Sequence, residues 1–179
     1  MGWELFSRLT GAGVKAAYVD LAQIGFFRPA PEDDPDNHRI RARNLAAMWP
    51  TFRGAGVRCL VMAGGVEQRD VVASYALALP GTALTMCRLR AGPDQLTERI
   101  LLRGRGRGPA IPGDELKGRS PDYLRSFADR AVATAERLDH AGLDAVCVDT
   151  DGRSVDEVAD LVRAQADDWP HPSPSGSAS

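Results

Sequence analysis

Four groups of residues in this chain have the types and spacing that chemistry requires. The first is Asp20, which directly follows the apolar run Val14-Lys15-Ala16-Ala17-Tyr18-Val19 and has Gln23 and Phe26 just behind it. A strand fixes such an acid while the following loop leaves it accessible, so it suits a general base or a hook for a substrate hydroxyl. It suits the cap of a turn equally well. The second group is His38, Arg41, Arg43 and Asn44, in which His38, Arg41 and Asn44 recur every third residue and share one face of a helix. A cationic, hydrogen-bonding face of this kind fits a phosphate, sulfate or carboxylate, with a solvated helix surface as the plain alternative.

The third group lies in a Gly/Arg/Pro segment and comprises Arg99, Arg103, Arg105, Arg107, Lys117 and Arg119. Glycine hinges and guanidinium groups together make a lid that neutralises charge on a transferring phosphoryl group. The run RGRGRG also reads as a flexible contact for nucleic acid, or as a bland surface loop. The fourth group is the turn Asp149-Thr150-Asp151-Gly152-Arg153-Ser154, with Glu157 three residues after Ser154. That spacing is a capping box, and it accounts for the turn structurally without any ligand.

These residues need elements to position them. Trp3, Leu5, Phe6 and Leu9 recur at helical spacing, and a strand follows from Val14 to Asp20. Asp36-Asn37 offers caps for a helix from about His38 to Arg53, with Ile40, Leu45, Met48, Trp49 and Phe52 as its apolar stripe. The run Val57 to Ala63 is apolar throughout, as in a strand buried on both faces of a parallel sheet, and it ends in Gly64-Gly65. Helices are predicted over Glu67–Leu79, Pro93–Arg103, Pro121–His140 and Ser154–Ala166, and strands over Ala83–Leu89 and Leu143–Val148. Alternating strands and helices predict an α/β domain with a parallel sheet covered on both faces, spanning residues 1–168, with the lid at about 103–120 and a disordered tail at 169–179. Ligands in such sheets bind at the carboxyl ends of strands, which selects Asp20 onward, Gly64-Gly65, Arg88 onward and the Asp149–Arg153 turn.

Composition narrows the partners. A net charge of −2 supplies no global attraction for nucleic acid or an anionic membrane, so neither is expected, although local basic clusters are compatible with it. No apolar stretch approaches the ~18 residues of a membrane span and no signal peptide opens the chain, so a cytoplasmic protein is expected. Cys59, Cys87 and Cys147 each fall in an apolar run rather than a metal-binding cluster, which predicts buried free thiols and no metal site.

The run GWELFSRLTGAGVKAAYVD resembles the stretch that follows the phosphate-binding loop in P-loop small-molecule and nucleotide kinases of the adenylylsulfate kinase type. The similarity of order and pattern extends from Trp3 to Val162. It implies a three-layer α/β/α fold, a small-molecule substrate bearing a hydroxyl or sulfate, and ATP with Mg2+ as cofactors. By the same resemblance Asp20 is the substrate acid, where shikimate kinase and its like also carry one. Gln23, Phe26, His38, Arg41, Asn44, Gly64 and Gly65 are then the substrate side. In the resembled kinases an arginine entering the lid packs on adenine and others reach the phosphates, which implies nucleotide contacts for Arg99, Arg103 and Arg119, and Thr150, Asp151, Gly152 and Ser154 line the base pocket. The chain departs from the pattern in lacking GxxxxGK[ST] and in lacking an acid at the end of Val57–Ala63. The first strand and its loop are therefore missing from the resembled fold, where they lie between Val57–Ala63 and Ala83–Leu89. Either the sheet closes across that gap, or the natural protein begins further upstream, which is the expectation here. The chain as it stands is expected to be inactive, with a non-catalytic ligand- or partner-binding domain as the alternative.

Overall fold

A computed structural model describes residues 1–108, 114–143, 146–166 and 169–170. The chain divides into two compact units, one built from residues 1–86 and 155–179 and the other from 87–154. Each is mixed α/β and is described by itself.

The first unit runs α1 (Gly2–Gly11), β1 (Ala16–Asp20), α2 (His38–Gly54), β2 (Cys59–Ala63) and α3 (Arg69–Ala78), with α6 (Val155–Gln165) returning from the far end of the sequence. Strands β1 and β2 pair in parallel, Ala16 opposite Cys59 through Asp20 opposite Ala63. Four of the five residues of the predicted α2 stripe pack in the core: Leu45 and Trp49 are buried with Val19, Leu21, Tyr75, Ala78 and Leu79, and Met48 and Phe52 lie against them, while Ile40 is half-buried outside this cluster. Helix α1 carries Trp3 and Phe6 onto Tyr18 of β1, the three rings lying 5.1 to 6.2 Å apart in edge-on and tilted arrangements. Arg8 then ties α1 to α6, donating to Asp160 at 2.6 Å and Asp156 at 3.0 Å while also pairing with Glu4 at 2.8 Å.

The second unit contains β3 (Cys87–Arg90), α4 (Pro93–Gly104), α5 (Pro121–His140) and β4 (Val146–Asp149). Both helices open on a proline, whose fixed φ and missing N–H suit a first turn, and Ser120 caps α5 by accepting from Tyr123 N–H. Strands β3 and β4 pair in parallel from Cys87–Val146 to Arg90–Asp149. The core between α4 and α5 is Ile100, Leu116, Leu124 and Ala128. Gly104 is buried there because a side chain at this position would collide with Leu124.

Several expectations change. The strands form two two-stranded parallel sheets, β1-β2 and β3-β4, where one sheet was expected. Each of these strands finds its hydrogen-bonded neighbour on one side only among the described residues. The strand predicted at Ala83–Leu89 is Cys87–Arg90, because pairing begins only where β4 lies alongside, and the preceding Ala83, Leu84 and Thr85 are exposed. Strand β2 is half-buried at all five positions rather than covered on both faces. The three cysteines are free, but Cys147 is exposed and Cys59 and Cys87 are only half-buried, since the short sheets leave their strands open. Part of the lid, at 109–113, part of the strand predicted from Leu143, at 144–145, and the tail from 171 lie outside the described residues.

Candidate functional site

In the first unit, Asp20 ends β1 and the ladder continues one step beyond it, Leu21 N–H donating to Ala63 carbonyl at 2.8 Å. The Asp20 carboxylate folds back: Oδ1 accepts from Ala22 N–H at 2.9 Å, forming a side-chain turn that redirects the chain into the short 3-10 turn Gln23–Gly25. Gly64 is required at the end of β2 because a Cβ there would lie 2.9 Å from Leu21 Cβ, whereas Gly65 faces open space. Gln23 and Phe26 are exposed, Phe26 at 79%.

The loop after Asp20 is pinned to α2 by two asparagines. Asn44 Nδ2 donates to Ile24 carbonyl at 2.6 Å, and Asn37 Nδ2 donates to Gly25 and Phe27 carbonyls at 3.2 and 3.0 Å. Asn37 adopts a left-handed backbone (φ 57°) and directs its side chain into that loop, so the cap of α2 comes from Asp34 instead of Asp36 or Asn37. The buried Asp34 carboxylate accepts from His38 N–H at 2.8 Å and Arg39 N–H at 3.0 Å.

His38 and Arg41 do come together, around a residue the sequence did not single out. Tyr75 of α3, 3% exposed, places its hydroxyl 3.0 Å from His38 Nδ1, within the electrostatic reach of Arg41. The imidazole and phenol rings meet edge-on at 5.9 Å. Burial and then the charge of Arg41 lower the pKa of His38, so the ring is neutral at neutral pH. Burial raises the pKa of Tyr75, with Arg41 offsetting it. The Arg41 side chain packs on Gly25, where no Cβ fits, and its Nε is buried without a hydrogen-bond partner. Asn44 faces the Ile24 loop and not this cluster.

In the second unit the strand ends carry a connected hydrogen-bond array. Thr150 is buried; its N–H and its hydroxyl both donate to Arg90 carbonyl at 2.8 Å. Arg99 of α4 reaches it from the side, one terminal nitrogen donating to Thr150 Oγ1 at 2.8 Å and the other to Thr150 carbonyl at 2.9 Å. Asp151 Oδ2 accepts from Gly92 N–H at the start of α4, at 2.9 Å, while its Oδ1 is buried without a partner. Gly152 has φ 65°, a turn conformation that glycine adopts without strain, and Ser154 is exposed just before α6. The turn Thr150–Gly152 and Arg99, placed together by the resemblance, are therefore neighbours.

Arg103 is committed elsewhere. Its Nε donates to both carboxylate oxygens of Asp114, at 2.9 and 3.1 Å, and the guanidinium holds the Asp114 carboxyl below its usual pKa. Gly108 lies against the Arg103 side chain. Arg119 is exposed; its Nε donates to Glu115 carbonyl at 3.0 Å and its guanidinium lies over the Tyr123 ring at 5.2 Å. A groove of about 340 Å3 runs along α4, lined by Asp94, Thr97, Glu98, Leu101, Leu102 and Arg105, and includes none of the residues singled out as a site except Arg105 of the lid.

Sequence reasoning missed Tyr75, Asp34 and Asp114. Tyr75 sits in an apolar helical stretch and reads as core; Asp34 and Asp114 sit in loops whose partners are set by folding. Among the described residues no group of three or more His, Cys, Asp or Glu is arranged to hold a metal ion, and no helix is long and apolar enough to cross a membrane. No protein-family model, curated protein or solved structure matches the chain.

Proposed function

We propose that this chain is a kinase-like α/β domain of the P-loop type that binds an adenine nucleotide at the ends of β3 and β4 and does not by itself transfer a phosphoryl group. The observation that carries the reading is Arg99 held by both terminal nitrogens on Thr150 beside the Asp151-Gly152 turn. A guanidinium fixed in this way presents a flat cationic face at a strand end, which suits stacking on a purine. Phosphoryl transfer needs a backbone cradle and a lysine on the β- and γ-phosphates, and the sequence contains no GxxxxGK[ST] to supply them. ATP and Mg2+ act as cofactors in this reading only where such a loop is provided. Asp20 and the His38, Arg41 face are, in this reading, a surface of the first unit that binds a small hydroxyl- or sulfate-bearing molecule.

A second reading is a non-catalytic ligand- or partner-binding domain. It is favoured by Asp20 Oδ1 acting as a turn cap and by Arg103 pairing with Asp114. Titration with a fluorescent ATP analogue tests the first reading. We expect saturable binding that weakens about tenfold, or ~1.4 kcal/mol, in Arg99→Ala, with no ADP release above a protein-free blank. Absence of binding, or binding indifferent to Arg99→Ala, favours the second reading; ADP release above the blank contradicts both.

A further inference from the structure

The segment that closes α4 folds into a cationic ridge. Past Gly104 the backbone turns back on the helix, Gly106 N–H donating to Arg103 carbonyl at 2.9 Å and Arg107 N–H to Leu102 carbonyl at 3.0 Å, with Gly106 at φ 83°. The returning chain is tied alongside by Gly118 N–H donating to Gly104 carbonyl at 2.9 Å, and the Lys117 stem passes 3.9 Å from where a Cβ on Gly106 would be. Two backbone stretches that are distant in sequence thus carry Arg105, Arg107, Lys117 and Arg119 on one locality, all four exposed.

The acids nearby offset only part of this charge. Asp114 is paired with Arg103 at 2.9 Å and Asp122 with Arg125 at 3.2 Å, Asp94 and Glu98 share the α4 groove with Arg105, and Glu115 lies in the returning stretch, so the surplus charge rests on Arg107, Lys117 and Arg119. Among the described residues the side chains of Arg105 and Arg107 make no ion pair or hydrogen bond. The glycines between the arginines remove intervening side chains, so a ligand backbone can lie close to successive guanidinium groups. The four cations are exposed and come from two backbone stretches held side by side, which suits a chain of phosphates better than one phosphate. Arg119 adds a platform: one face of its guanidinium rests on Tyr123, itself 6.5 Å from Phe127, and the opposite face can take an unpaired base.

We propose that Arg105, Arg107, Lys117 and Arg119 form a binding ridge for single-stranded RNA, with phosphates on the first three and a base stacked on Arg119. The ridge is separate from the Arg99 and Thr150 array and does not depend on nucleotide binding there. The overall charge of −2 is no obstacle, because screening confines the relevant field to about 10 Å.

The test uses the full chain and a fluorescein-labelled oligouridylate of about twelve nucleotides, followed by anisotropy between roughly 25 and 200 mM salt. Three to four phosphate contacts give an expected log–log salt slope of about −2 to −3, at ~0.7 per contact for single strands. The double variant Arg105→Ala, Arg107→Ala, with an unchanged circular dichroism spectrum, should lower the slope by about 1.4 and weaken low-salt binding at least tenfold. Arg119→Lys should keep the slope and lose affinity several-fold, because it keeps the charge and removes the stack. Three results overturn the proposal: no anisotropy rise at about 50 μM protein, a salt slope unaltered by the double variant, or equal displacement by inorganic tripolyphosphate at the same phosphate concentration, which would mark a site for a free phosphate group. Equal affinity for the corresponding duplex, or tighter binding of phosphatidylserine vesicles lost in the same double variant, also overturns it.

Discussion

Arg99 holds Thr150 with two hydrogen bonds, 2.8 Å to the hydroxyl and 2.9 Å to the carbonyl, and the same hydroxyl donates a hydrogen bond to Arg90 carbonyl on the neighbouring strand. One threonine therefore couples a helix and two strands. Thr150→Val keeps the shape and removes the hydroxyl, leaving one nitrogen of Arg99 without its partner, while Arg90 carbonyl still accepts from the N–H of residue 150. We expect a loss of about 1 to 3 kcal/mol of unfolding free energy, measured by urea denaturation, with Thr150→Ser restoring most of it. A Val variant as stable as the parent would mean that the array adds nothing.

At Asp20 the geometry predicts a division between two substitutions. Asp20→Asn retains an oxygen for Ala22 N–H and should leave stability within about 0.5 kcal/mol of the parent, whereas Asp20→Ala should cost about 1 kcal/mol by releasing the turn. Thermal or urea unfolding of the pair checks this; equal losses in both variants would point to the charge and not the turn.

His38 faces Arg41, Asp34, Asp36, Glu67 and the Tyr75 hydroxyl, and its pKa lies below 6.5 in the folded protein. The unfolded chain consequently binds the proton first on acidification. The stability this residue contributes is complete above about pH 6.5 and declines as pH falls below that value, until the folded ring also protonates. Comparing urea midpoints of the parent and His38→Gln across about pH 5 to 8 should show the parent losing stability faster on the acid side. Parallel profiles would refute the shift.

Gly104 is buried against Leu124, which is itself 5% exposed in the α4–α5 core. Gly104→Ala should destabilise the protein by about 1 to 3 kcal/mol despite alanine's better helix propensity, because a packed leucine has to move. The companion Leu124→Ala, Gly104→Ala double variant should lose less than the sum of the two single changes. Strict additivity would show that the two side chains do not meet.

The elements legible from sequence were those with a periodic apolar stripe and a chemical start signal. The stripe of α2 with Leu45 and Trp49, and the prolines opening α4 and α5, are local features that folding preserved. The existence of β3 is legible but its bounds are not, because Ala83 to Leu89 is uniformly compatible with a strand and only the partner Val146–Asp149 decides where pairing starts. The grouping of strands into two sheets is likewise a property of partners and not of any segment. At the site, the resemblance gives Arg99 and the Thr150 turn a common role, and they are neighbours. His38 and Arg41 shared a helical face as read. What escaped was Tyr75, whose hydroxyl matters only because α3 lays it beside that face, and Asp34, which caps a helix four residues downstream across an irregular loop.

The ties from Arg8 to Asp156 and Asp160 span 148 and 152 residues. Because α6 belongs to the same unit as α1, the first unit is discontinuous in the chain while the second, 87–154, is an uninterrupted stretch within it. A ribosome synthesising this protein delivers every residue of the second unit before the last helix of the first. The nascent amino-terminal half must therefore wait, with Arg8 paired only to Glu4, until synthesis has passed through the whole second unit and supplies Asp156 and Asp160.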